Sequence, residues 1–449
     1  MTPLAAPDLS EAARALCIVC ILLVPLAGTG ISLVNTGLGR SRSASHAMLT
    51  ALCLMALAAV VYCACGFAWQ GYLGRPAHLL LVRGRPWSWV AAEPFFLRRL
   101  ELDGSPVSLA ACFGMLSVGL AALIPLGAGA DRWRLGAACA STALFAGCTY
   151  PLFAHWAWGG GWLAQLGSNY GLGRGFVDAG GSGSIQAMGG LTALALAWIL
   201  GARRGKYGPD GAPAAIPGHN AVYILFGCLL AWVGWVGLNS AGAILFAAAE
   251  PGRAVLIVAN TTLSAAAATL TAAVITRVRF RKPDASLAAN GWVGGLAASS
   301  AACAFVVPAA ALIIGIVAGA LVVFSVEAVE FWLAVDDPGG AISVHGVAGL
   351  WGVLALGFFA RFPSRLPNAV NGPSQALGGD AGQWLAQLVG AATLVGFVLP
   401  LTYGLNRLLD RIYRQRVALD GEREGMDLYE LGAGAYPEFA THTDEFMPR

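Results

Sequence analysis

The chain is a succession of apolar stretches, each about 20 residues long, and that repetition restricts its fold more than any other feature. Crossing the hydrocarbon of a bilayer takes about 20 apolar residues per helix, and about eleven stretches qualify. They are residues 14–35, 46–71, 106–130, 136–157, 182–201, 219–240, 253–276, 290–307, 309–333, 341–361 and 385–406. Soluble domains average about 45–50% apolar and about 25% charged residues. Here the values are 57% and 11%, which excludes a string of soluble domains. The 59 glycines suit helices that approach closely within lipid. The pattern predicts an all-α, polytopic membrane protein over residues 1–406 with a cytoplasmic tail, 407–449, too short for a folded domain. The N-terminal segment lacks the basic region of a cleaved leader and reads as an uncleaved first helix.

Charge placement orients the bundle. Arg40 and Arg42, Arg132 and Arg134, Arg203 with Arg204 and Lys206, and Arg277 with Arg279, Arg281 and Lys282 all follow odd-numbered stretches. Arg407, Arg411, Arg414 and Arg416 follow the last one. The positive-inside rule puts these connections in the cytoplasm, with the N-terminus outside and the C-terminus inside. The loop 72–105 disagrees, carrying Arg75, Arg83, Arg85, Arg98 and Arg99, partly offset by Glu93, Glu101 and Asp103. A net charge of +3 without a long basic run gives no reason to expect a nucleic-acid partner. The 10 cysteines lie almost entirely in apolar stretches, and Cys17–Cys20 has no second pair to complete a metal site. No cofactor is implied. No nucleophile–base pair or phosphate loop suggests an enzyme.

Two segments match each other. Asp178-Ala-Gly-Gly-Ser-Gly-Ser-Ile-Gln186 and Asp337-Pro-Gly-Gly-Ala-Ile-Ser-Val-His345 share an Asp, a following Gly-Gly and a polar side chain at the same offset. Each continues to a Gly-Leu pair, Gly190-Leu191 and Gly349-Leu350. They open the fifth and tenth stretches, so helices 1–5 and 6–10 read as two copies. An odd helix number per copy makes the copies opposite in topology, an inverted repeat with a site expected near the midplane. If each helix begins at its Asp, Gln186 and His345 lie about 12 Å along it, near the middle of the hydrocarbon. Polar groups there face the bundle interior. They either meet in a pore or merely tie two helices together, and the repeat alone favours neither. Asp178 and Asp337 read as N-terminal caps.

These residues resemble the ammonium transporter family (Amt, Mep and Rh proteins). Asp336-Asp-Pro-Gly-Gly-Ala-Ile-Ser-Val-His-Gly-Val-Ala-Gly-Leu-Trp351 is similar to its second-histidine signature. Tyr150-Pro-Leu-Phe-Ala-His-Trp-Ala-Trp-Gly-Gly-Gly161 resembles the segment leading into the fifth span. Gly234-Trp-Val-Gly-Leu-Asn239, Asn260-Thr-Thr-Leu-Ser-Ala-Ala-Ala-Ala268 and residues 290–319 continue the match, and Glu422-Arg-Glu-Gly-Met-Asp427 resembles the tail motif. The resemblance implies a homotrimer in the cytoplasmic membrane, one hydrophobic pore per subunit, and ammonium recruited in an outer vestibule by Trp158. It also implies passage as neutral ammonia past His345, and a tail beneath the trimer that couples its subunits. A PII-type regulatory protein is the implied partner at the cytoplasmic exits. The sequence departs from the family at four pore positions. The first pore histidine aligns with Gln186, which cannot take up a proton near neutral pH. Phe113 matches one ring of the phenylalanine gate, but its partner aligns with Ser117; the sixth-span phenylalanine aligns with Leu238 and a vestibule serine with Gly242.

Other polar residues have ordinary explanations. Trp158 at an interface is most simply a belt residue, raised above that only by the resemblance. His155 reads as a packed, hydrogen-bonded histidine, and Asn239 and Asn260 as bonds across helices. His46 and His219 belong to cytoplasmic ends. Glu327 and Glu330 are costly in lipid, and face either a subunit interface or the cytoplasmic end. The functions left are an ammonium transporter or channel, a poorly conducting ammonium sensor or partner-binding protein on the same scaffold, and a channel for another small neutral molecule.

Overall fold

The structure, a computed structural model, describes residues 9–362 and 381–436. The expected stretches become helices α1 Glu11–Leu38, α2 Ser41–Gln70, α3 Pro106–Gly129, α4 Leu135–Ala157, α5 Ser182–Leu200, α6 Ala221–Ala247 and α7 Pro251–Phe280. They continue with α8 Ala285–Ser299, then α9 Pro308–Phe331, α10 Ile342–Phe359 and α11 Ala381–Ile412. Ten are long and apolar enough to cross a membrane, and α8, at 15 residues, completes the eleven. The chain is an α-helical, polytopic membrane protein. Side chains start several helices where the sequence places cap residues. Ser10 Oγ accepts from Ala13 N at 3.2 Å, Asn220 Oδ1 from Tyr223 N at 3.0 Å, and Asp284 Oδ1 from Leu287 N at 2.8 Å.

Glycine sets the packing. Helices α1 and α6 run antiparallel in close contact, Gly37 facing Ile224, Gly30 facing Gly227 and Ala231, and Ala27 facing Gly234. A methyl group on Gly37 would lie 2.6 Å from Asn220 O. The crossing of α5 and α10 is also antiparallel: Gly190 abuts Gly346, and a Cβ on Gly349 would lie 2.6 Å from Ser182 O and 2.8 Å from Ala187 N. Helices at matching positions of the two halves thus meet head to tail, as an inverted pair must.

Several details differ from the sequence reading. Helix α8 stops at Ser299 instead of running to 307, and α9 starts only at Pro308. The chain between them bonds to the stretch before α5, Gly180 N donating to Ser300 O at 2.8 Å and Ala301 N to Ser182 Oγ at 2.7 Å. Asn260 Nδ2 satisfies Cys303 O and Val306 O, both at 2.8 Å. Non-helical backbone at membrane depth survives because polar groups meet its hydrogen-bonding needs. Helices α5 and α10 begin at Ser182 and Ile342, not at the preceding Asp residues, and each opens with a π-helical turn, Ser182–Ala187 and Ile342–Val347. Gln186 and His345 therefore sit in the first turns, and the 12 Å depth argument, which ran the helix from the Asp, does not hold. Residues 77–91, inside the loop 72–105, form an antiparallel hairpin, β1 Ala77–Val82 and β2 Arg85–Ala91. Its two-residue turn, Arg83-Gly84, has both φ angles positive, at 51° and 76°.

The basic connections converge on a buried ion cluster. Arg203 Nη1 lies 3.0 Å from Asp131 Oδ2 and its Nε 2.9 Å from Asp336 Oδ2, while Arg132 donates to Asp336 O at 2.8 Å. Lys206 pairs with Glu330, and Arg279 with Glu327 at 2.6 Å, so both α9 carboxylates are neutralised at this end of the bundle. Of the tail, residues 437–449 lie outside the described residues, and the rest docks on the same end. Asp427 accepts from the N-terminal amides of α2, His46 N at 2.7 Å and Ser45 N at 3.2 Å. Glu430 Oε2 accepts from Leu135 N at 2.8 Å and pairs with His46 Nε2 at 2.9 Å. Gly425, at φ 101°, lets the tail pass against Arg42.

Burial pushes the Asp336 carboxyl up, but Arg132 and Arg203 outweigh it and hold it below the ordinary carboxylate range. Its contribution to stability is therefore complete above the unfolded pKa of about 3.9 and is lost as pH falls through the lower folded value. Arg203→Ala removes the guanidinium shared by Asp131 and Asp336, leaving them, among the described residues, only the longer ion pairs with Arg40 at 3.9 Å and Arg132 at 3.6 Å. It is expected to cost about 3–5 kcal/mol near neutral pH, read as a lowered melting temperature whose deficit shrinks below about pH 3.9. Gly190→Val overpacks the α5–α10 crossing and is expected to destabilise by about 1–3 kcal/mol or prevent folding, read by size exclusion and thermal unfolding.

Candidate functional site

Where α5 and α10 cross, their first turns bring Gln186 and His345 together. Gln186 Oε1 lies 2.7 Å from His345 Nδ1. A carbonyl oxygen only accepts, so Nδ1 carries the proton and the neutral ring keeps its lone pair on Nε2. Gln186 is fully buried and His345 is 5% exposed. The Gln186 amide nitrogen has no partner among the described residues, and neither do the hydroxyls of Ser184 and Ser343. The π-helical turns explain this geometry in part: an i→i+5 turn widens the helix locally and shifts the side chains that follow.

Trp235 of α6 covers the imidazole, its ring nearly parallel to His345 at 26° with centroids 6.4 Å apart, and its Nε1 donates to Ser300 Oγ at 3.0 Å. Leu238 is fully buried one turn further along α6, on the same face as Trp235. Gly242, another turn on, packs against Ala179, where a larger side chain would part α6 from the stretch leading into α5.

Trp158 lies in a second aromatic cluster. It is 2% exposed, and its Nε1 donates to Asp178 O at 2.7 Å. The carboxylate of Asp178 turns the other way, Oδ2 accepting from Ser184 N at 2.7 Å and Gly183 N at 3.0 Å. Asp178 thereby ties the tryptophan to the turn that carries Gln186. In the matching position, Asp337 accepts from Ile342 N at 2.7 Å and Ala341 N at 3.0 Å. Phe113 of α3 is fully buried and meets Trp158 edge to face at 5.8 Å. Ser117, one turn along α3, bonds Tyr150 Oη at 2.8 Å.

The structure thus forms one group from Gln186, His345 and Trp235 and another from Phe113, Trp158 and Phe246, with Asp178 between them. Trp235 lies within a stretch that resembled the family but was not read as part of the site. Phe246 lies beyond the expected end of its helix and was missed altogether. His155 has both ring nitrogens occupied, by Gln70 O at 2.8 Å and Ser88 Oγ at 2.9 Å. Asn239 bonds Thr261 across to α7 at 2.9 Å. Among the described residues no three metal-ligating side chains gather.

A glycine-packed, inverted bundle with a buried Gln–His pair at the crossing of its two broken helices is the architecture of a membrane channel or transporter. The chain matches the model of the Ammonium Transporter Family over residues 15–436, and it belongs to that family. It is 35% identical over 434 residues to the ammonium transporter Amt2 of Archaeoglobus fulgidus, covering 94% of this chain and 87% of that one. It is 30% identical over 421 residues to the ammonium transporter of Bacillus subtilis, covering 93% and 97%. Among solved structures, a "Sensor Amt Protein" superposes with a TM-score of 0.81 at 27% identity, covering 94% of this chain and 98% of that one. Candida albicans Mep2, at 23% identity and a TM-score of 0.77, shares the fold, with 98% and 93% covered.

Replacing Gln186 by Ala removes the acceptor of the buried His345 Nδ1–H. An unsatisfied buried donor costs about 1–3 kcal/mol, so Gln186→Ala is expected to lower the melting temperature, and Gln186→Glu, which restores an acceptor, to recover part of the loss.

Proposed function

We propose that this protein passes ammonia across the cytoplasmic membrane, and that passage carries no net charge. The observation that carries this reading is the bond between Gln186 and His345 at the crossing of α5 and α10 in a member of the ammonium transporter family. Ammonium is recruited on the outer side at Trp158 and leaves its proton there, because moving a bare cation through an apolar path is far more costly than moving neutral ammonia. Ammonia then passes Phe113 and Leu238 to the Gln–His pair. The unpartnered Gln186 amide supplies a donor for its lone pair, and His345 Nε2 an acceptor for one of its N–H groups. Inside, ammonia takes up a proton from the cytoplasm. A glutamine does not accept a proton near neutral pH, so no proton is handed from ring to ring along the pore.

The working unit in this proposal is a homotrimer with the N-terminus outside and the C-terminus in the cytoplasm, and a PII-type regulatory protein is the partner proposed for its cytoplasmic face. The docked tail supports regulation from that side, since Asp427 and Glu430 hold the N-termini of α2 and α4. The likeness to a solved sensor protein of the same family favours a second reading, in which ammonium is bound and reported with little flux.

Proteoliposomes decide between them. In the native protein an ammonium step is expected to alkalinise the lumen without a current on a solid-supported membrane. In Gln186→His a current is expected to appear, while His345→Ala is expected to lose about tenfold or more of the ammonia flux, each tenfold corresponding to about 1.4 kcal/mol. A current in the native protein overturns the electroneutral step. Neither current nor alkalinisation from well-folded native protein overturns transport in favour of sensing.

A further inference from the structure

Helix α6 ends at Ala247, and Ala248 turns the chain through the left-handed region at φ 51°. Just before that turn, Phe246 lies flat on Trp158, with ring centroids 4.6 Å apart and planes 10° apart. Phe113 meets Phe246 edge-on at 5.4 Å and Trp158 at 5.8 Å. Tyr72 meets Phe246 at 6.0 Å and is itself pinned by its hydroxyl, which donates to Leu245 O at 2.7 Å. Three rings of this cluster are buried, and Phe246 alone is partly exposed. It is followed by Ala247, Ala248 and Ala249, so no bulky side chain follows it directly in the sequence to hinder the ring.

A cation bound to an aromatic side chain sits over the ring face, within about 6 Å of its centroid. Two rings stacked at 4.6 Å are in van der Waals contact, and nothing fits between them. The face of Trp158 under Phe246 is therefore taken. The indole edge is also committed, to Asp178 O. We infer that Phe246 is a lid on the outer cation site: an ammonium ion reaches that face of Trp158 only when the Phe246 ring swings outward, after which Trp158, Phe113 and Tyr72 form a three-sided aromatic cup. The lid sets both affinity and size selectivity, because a larger alkylammonium requires the ring to move further. This inference deepens the transport reading and rests on its placing ammonium at Trp158. A stacked aromatic pair is worth about a factor of 2–10 in an equilibrium, and the ligand must overcome that factor to bind.

The test is equilibrium binding of radiolabelled methylammonium to the purified full-length protein, run beside the liposome flux assay. Phe246→Ala is expected to tighten methylammonium binding by about 2–10-fold and to admit dimethylammonium. Phe246→Leu, which keeps the apolar volume but not the stack, is expected to move in the same direction should the alanine variant fold poorly. Phe246→Tyr restores a stacking ring and is expected to restore the native affinity. Adding Trp158→Ala to Phe246→Ala is expected to abolish the gain. In the flux assay the lid appears as a lower KM with kcat little changed. Unchanged or weaker binding in both Phe246→Ala and Phe246→Leu overturns the lid, as does a gain that persists without Trp158. Failure of the transport reading looks different: the native protein and the variants bind methylammonium in the expected order, yet none alkalinises liposomes.

Discussion

The crossing of α5 over α10 is the contact on which the site depends. Only glycine permits it, because Gly190 and Gly349 each place a hydrogen where any other residue would drive a carbon into the opposing backbone. That approach brings the first turns of the two helices within reach, so that a short glutamine amide and an imidazole bond at 2.7 Å. Without it the two side chains would each be a buried polar group without a partner, at a cost of about 1–3 kcal/mol apiece. Packing and chemistry are thus one constraint: small residues allow the approach, and the hydrogen bond favours keeping it.

The same crossing obliges the protein to manage broken backbone inside the bundle. The chain approaching α5 is not helical until Ser182, and the chain leaving α8 is not helical after Ser299. These two irregular pieces satisfy each other, Gly180 N with Ser300 O and Ala301 N with Ser182 Oγ. What they leave over is taken by Asn260 and by the two repeat aspartates, whose carboxylates collect the free amides at the starts of α5 and α10. An asparagine or aspartate in an apolar stretch is therefore not by itself a sign of substrate contact here. It more often marks a place where the helical ladder has stopped.

Much of the architecture is legible in the sequence because the bilayer makes hydropathy speak directly for structure. The spans and the antiparallel relation of the two halves follow from runs of apolar residues and one internal repeat, which also marks positions 186 and 345 as equivalent without deciding that they meet. The reading failed where hydropathy is uninformative. Residues 300–307 are as apolar as a helix, yet they turn, because their backbone finds partners in other segments distant in sequence. The π-helical turns carry no compositional signature, so the depth of Gln186 and His345 was counted from the aspartates although the apolar runs begin near residues 182 and 341. Phe246 was missed because α6 continues past residue 240 to Ala247, and the apolar run alone does not show where a helix ends. The residues reached through resemblance, Trp158 and Phe113, do fall in one cluster with Phe246, but neither ring is an open platform.

Gln186 and Phe246 act at different steps of the proposed cycle and bear on different quantities. In that proposal a lid over Trp158 would set how readily the cation is held, whereas the amide at 186 would set whether its proton accompanies the nitrogen inward. Since the amide preserves the hydrogen bond at the crossing, substitution at this one position would, on the proposed mechanism, change the charge carried per turnover while the scaffold stays the same. The converse also follows from the geometry. Phe246 lies at the partly exposed end of its helix, outside the α5–α10 contact, so affinity can be tuned there without disturbing the buried pair. On the proposed roles, a change between carrying ammonia and merely registering ammonium would need different side chains at only these two separate places, with the glycine crossing between them held constant.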